Sequence, residues 1–194
     1  MPKLQDRIQA DNYRDHKSYW STCNLCDLCH GRKHVVLARG KVPAPVLFIG
    51  EAPGNSEDVL GRPFVGPAGH LLDQIIEQAL DGQYDYALTN LVACIPKDET
   101  GNKTEEPSAD SIKACAPRLQ EFVRLCKPQL IVCVGTLASK WVEKLLDAQP
   151  GTKATQFKFV HMTHPAAILR AETQQNILIK RAIVVLENAA AGLR

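Results

Sequence analysis

No apolar run in this 194-residue chain approaches the ~18 residues that a membrane-spanning helix needs. The opening stretch Met1-Pro2-Lys3-Leu4-Gln5-Asp6 lacks the apolar core of a secretory signal. The expected compartment is therefore the cytoplasm, with no membrane partner. Strong charge of one sign is also missing. Lys and Arg total 23 against 21 Asp and Glu, a net +2, which is too mild to argue for a polyanionic partner by itself and leaves room for a local basic face. There is no repeat and no low-complexity tract, so solenoids and linker-like chains are excluded. What is present is an ordinary globular share of apolar residues, 45%, on a length that suits one domain with a sizeable core. The expectation is a single domain over 1–194, with residues 23–40 packed on it, and a monomer.

Seven cysteines are many for a cytosolic chain. In a reducing compartment, metal or catalytic roles come before disulfides. Cys23-Asn24-Leu25-Cys26 is a C-x-x-C, and Cys29 extends it with a second, overlapping one. Such a pair supplies two adjacent thiolates to a metal or cluster. A four-cysteine site needs two more, for which Cys94 and Cys115 are the candidates, one directly after a strand and one in the first turns of a helix. Cys126 and Cys133 read as small buried apolar residues. A zinc ribbon fits poorly, because the second pair is not a tight C-x-x-C. A thioredoxin-like site also fits poorly, because this C-x-x-C precedes the first confident strand.

Residues 1–22 read as a polar, helical lead-in carrying Tyr13, Tyr19 and Trp20. Apolar runs at 46–50, 86–92, 129–135 and 157–162 read as strands, the third continuous enough for the interior of a parallel sheet. Helices are expected near 68–80, stopped by Asp81-Gly82, near 110–126 with Ser108 as a cap, near 136–147 and over 173–191. Pro117 should kink or break the second of these. Strands alternating with helices imply a three-layer α/β/α arrangement with a central four-stranded parallel sheet.

The most informative stretch is Gly50–Gly69, between the first confident strand and a helix. Its glycines and prolines fix unusual backbone shapes that a plain connector does not need, at the end of a strand where open α/β sheets bind ligands. Glu51 and Glu57 lie in it before a helix, and a carboxylate there can orient or deprotonate a water. Phe64 can stack on a planar ligand. Asn90 ends another strand, and its amide suits the edge of a base. His164, held by Pro165 at a fourth strand end, can donate to a developing anion. Taken singly, a turn cap, a core ring, an Asx turn and a surface imidazole would explain them. Four such groups at the ends of separate strands read as an active site.

These residues resemble family 4 uracil-DNA glycosylases, the iron–sulfur branch of that superfamily. Gly50-Glu51-Ala52-Pro53-Gly54, Glu57-Asp58, Gly61-Arg62-Pro63-Phe64-Val65-Gly66, Ala68-Gly69 and Leu71-Leu72 are similar to its first motif. His164-Pro165-Ala166-Ala167-Ile168-Leu169-Arg170 is similar to its second, Thr89-Asn90 with Cys94 to its Thr-Asn and third cluster cysteine, and Cys23 to Arg32 to its N-terminal motif. The resemblance runs from about Thr22 to Ala191. It implies that Cys23, Cys26, Cys94 and Cys115 ligate a [4Fe–4S] cluster in an N-terminal iron–sulfur segment, with Cys29 outside the set.

The same resemblance implies excision of uracil from single- or double-stranded DNA, leaving an abasic site. Uracil would stack on Phe64 and be read by Asn90, with added contacts from the backbone at Glu51 and Ala52. His164 would stabilise the departing anion, and Glu57 would position the water. Ile168, Leu169 and Arg170 would enter the vacated stack and hold a phosphate, and Arg32, Lys33 and Arg39 would meet DNA phosphates. A catalytically inactive or covalent uracil-DNA-binding member of the superfamily is the alternative. The covalent branch carries a basic Lys-Arg-Arg-x-His run that is missing here, and family 5 lacks an acid where Glu51 stands. The sequence departs from the family at Ile95-Pro96-Lys97-Asp98-Glu99, where an Arg-Pro-Pro start is usual, and 97–107 is longer and more acidic.

Overall fold

The computed structural model describes residues 10–101, 103–148 and 154–193. The first nine residues of the expected lead-in lie outside that range; the rest contains a helix, Tyr13–Trp20 (α1), and Leu28–Gly31 (α2) follows it. Five strands form one sheet: Ala38–Gly40 (β1), Val46–Gly50 (β2), Tyr86–Asn90 (β3), Leu130–Val134 (β4) and Lys158–Met162 (β5). Their order is β1-β3-β2-β4-β5. The last four strands run parallel to their neighbours, and β1 pairs antiparallel with β3, Ala38 opposite Thr89.

The expected four-stranded parallel sheet is thus corrected to a five-stranded, mostly parallel one. The three residues of β1 are too few to show a two-residue alternation in sequence. Tertiary contacts hold β1 in place: the Thr89 hydroxyl donates to the Leu37 carbonyl at 2.6 Å, and the Tyr13 hydroxyl to the Ala38 carbonyl at 3.0 Å.

β2 and β4 are buried along their whole length, as parallel strands covered on both faces must be. Leu47, Ile49, Ile131 and Cys133 pack toward Ala109–Cys126 (α5) and Thr136–Asp147 (α6). Val46, Phe48, Leu130 and Val132 pack toward Pro67–Leu80 (α4) and Gln175–Ala190 (α8). Two short helices, Asn55–Leu60 (α3) and Pro165–Arg170 (α7), sit at the carboxyl ends of β2 and β5. Ser108 caps α5, its side chain accepting from the Ser111 amide at 3.1 Å.

Pro117 does not break α5, which is continuous from Ala109 to Cys126. A proline inside a helix costs about 3 kcal/mol. Ile112, Leu119, Phe122 and Val123 are buried along the same helix, and each such side chain gives about 1.5–3 kcal/mol on burial, so packing outweighs the lost hydrogen bond. The N-terminal segment docks on α5 through a buried polar group. Glu121 Oε1 lies 2.6 Å from His16 Nδ1 and accepts from Trp20 Nε1 at 3.0 Å.

Two features of this topology position the site. The helices after β2 and after β4 lie on opposite faces, so the chain diverges from those two strand ends and leaves a crevice, the usual ligand position in open α/β sheets. Asn90 ends β3 beside Gly50, its register partner at the end of β2. Among the described residues no helix is long and apolar enough to cross a membrane.

Candidate active site

The crevice opens into a cavity of about 470 Å³ whose walls include Glu51, Ala52, Glu57, Phe64, Asn90, His164 and Arg170. These residues come from the ends of β2, β3 and β5 and from the loops and short helices, α3 and α7, beyond them. Phe64 and Asn90 meet over Gly50. A Cβ built there would lie 2.5 Å from both the Phe64 ring and Asn90 Oδ1, so only glycine allows this contact. Gly69 serves in the same way under the loop, where a Cβ would fall 2.0 Å from the Phe64 carbonyl oxygen.

Phe64 is 6% exposed and holds φ at 55°, a left-handed conformation that is rare for a bulky residue. It is held from both sides. Glu57 Oε1 accepts from the Val65 and Gly66 amides at 2.8 Å each, and Oε2 from the Gly54 amide at 3.1 Å. On the other side, Arg39 donates to the carbonyls of Pro63 and Phe64 and pairs with Asp73 at 2.5 Å. Glu57 therefore acts as the loop's internal brace and retains one of its roughly four acceptor directions. Glu51 shares the cavity without a hydrogen bond to another described side chain. Burial, then the nearby Glu106, raise its carboxyl above the usual carboxylate range.

His164 caps α7. Its Nδ1 accepts from the Ala166 amide at 3.1 Å, so a neutral ring carries its proton on Nε2. Burial is the main cause that lowers its pKa; Arg170 adds to this and Glu57 opposes it. Asn90 is 3% exposed, with its carbonyl held by Arg118 at 2.5 Å.

The other named residues lie outside the cavity, apart from Arg170 at its wall. Ile168, expected at DNA, is wholly buried among Leu72, Ile76 and Leu186, because the short helix turns that side to the core. Leu169 and Arg170 face solvent. Arg32 turns inward, donating to Cys94 Sγ at 3.3 Å and to the Cys23 carbonyl. Arg39 is engaged as described. Lys33 is exposed.

Cys23, Cys26, Cys94 and Cys115 line one recess with Leu28, Val92 and Arg118, and Cys29 is outside it. Burial pushes the Cys94 thiol up to about 11 and raises those of Cys23 and Cys26. Among the described residues no three His, Cys, Asp or Glu side chains form a group that could hold a metal ion. Cys126 and Cys133 are core residues.

Sequence reasoning did not foresee three features. Asp58 is 2% exposed and accepts from the Lys33 amide at 2.8 Å, tying α3 to the segment after α2. The atypical segment folds as a hairpin, Asp98 bonding with Lys103 and Glu105 with Pro96, and Pro96, Thr104 and Glu105 complete the cavity wall. Arg118 is buried. Only the acidic doublet Glu57-Asp58 offered a signal beforehand.

The family described as Uracil DNA glycosylase superfamily matches residues 38–185, a span that contains every cavity residue named above. The chain is 35% identical to the Type-4 uracil-DNA glycosylase of Pyrobaculum aerophilum over 161 residues, 76% of this chain and 80% of that protein. It is 36% identical to the protein of the same name from Saccharolobus solfataricus over 126 residues, 64% of this chain and 56% of that one. With that of Archaeoglobus fulgidus it shares 29% identity over 161 residues, 76% of this chain and 78% of the relative.

Proposed function

The chain belongs to the uracil-DNA glycosylase superfamily, and from that premise we propose that it hydrolyses the N-glycosidic bond of uracil in DNA, leaving an abasic site for repair. The observation that carries this reading is the convergence of Glu51, Glu57, Phe64, Asn90 and His164 on one cavity at the strand ends.

An enzyme acting on a base must first take it out of the stack. The flipped uracil lies against Phe64. The O4 side of its Watson–Crick edge presents one donor, N3–H, and one acceptor, O4. The Asn90 carboxamide offers the complementary pair, an oxygen to accept and an NH₂ to donate. Cytosine presents the reverse order and is refused. As the C–N bond lengthens, positive character grows on the sugar and negative charge on uracil O2. His164, neutral with its proton on Nε2, donates to that oxygen; removing one such preorganised donor costs about 10²–10³ in rate.

The acids divide the remaining work. Glu57 holds the loop with three of its acceptor directions and has one for a water. Glu51 has a less engaged carboxylate in the same cavity, which favours a second reading in which Glu51 orients the attacking water and Glu57 preserves the pocket. Leu169 and Arg170 are exposed, which supports reading them as the apolar wedge and the phosphate contact.

Cys23, Cys26, Cys94 and Cys115 fit a [4Fe–4S] cluster by their chemistry. Four thiols from three segments line one recess, the all-cysteine donor set that such clusters take. A bound cluster would tie the segment before β1 to the end of β3 and to α5. Glycosidic hydrolysis is redox-neutral, so no step passes through it. The expected partner is uracil-containing DNA, bound by a monomer. Incubation with uracil-containing oligonucleotides, followed by detection of abasic sites, tests the activity. Loss in His164→Ala and in Asn90→Ala is expected, and unchanged rates would contradict these roles.

A further inference from the structure

Arg118 lies on α5 three residues beyond Cys115 and is 1% exposed. Its Nη1 donates to the Thr89 hydroxyl at 3.0 Å, and its Nη2 to the carbonyls of Asn90 at 2.5 Å and Leu91 at 3.0 Å. All three acceptors are neutral. Its Nε has no hydrogen-bond partner, and no carboxylate among the described residues forms an ion pair with it. The next acid along the helix, Glu121, is held by His16 and Trp20. A guanidinium cannot shed its proton to escape burial, and a buried charge is ordinarily paired or set against a metal centre. This cation is therefore missing its opposite charge.

The recess beside it supplies a place for one. Arg118 forms part of the wall that also contains Cys23, Cys26, Cys94 and Cys115. Four thiolates around a [4Fe–4S] core leave the whole group net negative. A second guanidinium, Arg32, already reaches Cys94 Sγ at 3.3 Å. Hydrogen bonds to the sulfurs and nearby charge are what set cluster potentials and retention.

We infer that Arg118 is the buried counter-charge of the cluster held by Cys23, Cys26, Cys94 and Cys115. The inference rests on the cluster reading proposed above. It adds a role for a side chain that no cysteine pattern marks, and it places the counter-charge on the residue that also grips the Asn90 carbonyl.

The test compares wild type, Arg118→Lys and Arg118→Met. Iron and sulfide content and visible absorbance of the wild type come first; a colourless, iron-free protein would sink the cluster reading itself. With iron present, a mediated titration gives the midpoint potential for one-electron reduction. Arg118→Met should shift it to more negative values, because the added electron loses a neighbouring positive charge, while Arg118→Lys stays closer to wild type. Iron loss to a chelator should be about 10–100-fold faster in Arg118→Met, the usual scale for outer-shell partners. A folded Arg118→Met with wild-type potential and wild-type iron retention would overturn the inference. If that variant does not fold, a crystal structure of the iron-loaded wild type decides. A guanidinium turned to the cluster with no carboxylate on it supports the inference, and a carboxylate or bound anion paired with Arg118 overturns it.

Discussion

Arg39 Nη2 donates to the carbonyl oxygen of Phe64 at 3.1 Å, on the residue whose phenyl ring walls the cavity. Phe64 holds a left-handed backbone, a conformation that costs on the order of 1–3 kcal/mol and persists only when its surroundings over-determine it. Arg39 and Glu57 are those surroundings. Arg39→Ala should lower stability by about 1–3 kcal/mol, the range for hydrogen bonds to a charged group. It should also raise KM for uracil-DNA more than it lowers kcat. Denaturant unfolding and steady-state kinetics check the two parts, and Arg39→Lys should recover the Asp73 pair without recovering KM.

The two acids of the first loop should separate by experiment. In Glu57→Gln an amide NH₂ replaces one of two oxygens that face backbone N–H groups, so a loss of about 1–3 kcal/mol in stability is expected. Glu51→Gln breaks no such bond. Its melting should stay near wild type while single-turnover excision falls about 10²-fold or more. Equal melting of the two variants would contradict the brace assigned to Glu57.

His164 gives a pH dependence with a definite sign. Burial holds its folded pKa below the ordinary value, so on acidification the unfolded chain takes up the proton first. The stability from the neutral ring is fully present above about pH 6.5 and is lost as pH falls from there through the folded pKa. Unfolding free energies of wild type and His164→Gln, measured from pH 5 to 8, should differ by a constant amount above pH 6.5 and converge below it. Nitrogen chemical shifts should show the Nε2–H tautomer at neutral pH.

Removing a recess thiol tests the cluster independently of catalysis. Cys94→Ser should lose broad visible absorbance and bound iron, whereas Cys29→Ser should keep both. An unchanged spectrum in Cys94→Ser would contradict its place among the ligands.

Much of the fold was legible because burial on both faces writes continuous apolar runs such as Leu130–Val134. β1 was not, since Ala38-Arg39-Gly40 takes its place from hydrogen bonds to distant partners. Pro117 misled because local propensity counted for less than the buried face of α5. In the cavity, Glu51, Glu57, Phe64, Asn90 and His164 stood out because each lies at a strand end or in a loop rich in glycine and proline. Arg39 and Arg118 did not. A charged residue in a strand or helix reads as solvent-facing, and only the tertiary structure reveals the backbone carbonyls at its tip. Ile168 sat inside a DNA-facing motif, and nothing in the sequence told its core side from the exposed side of Leu169.

The most direct measurement is base release from matched oligonucleotides that carry one uracil or one cytosine at the same position. Wild-type protein should generate abasic sites from the uracil strand and not from the cytosine strand, and His164→Ala should reduce that rate by about 10²–10³. Intact uracil strands under single-turnover excess of iron-loaded protein would contradict the proposed glycosylase function.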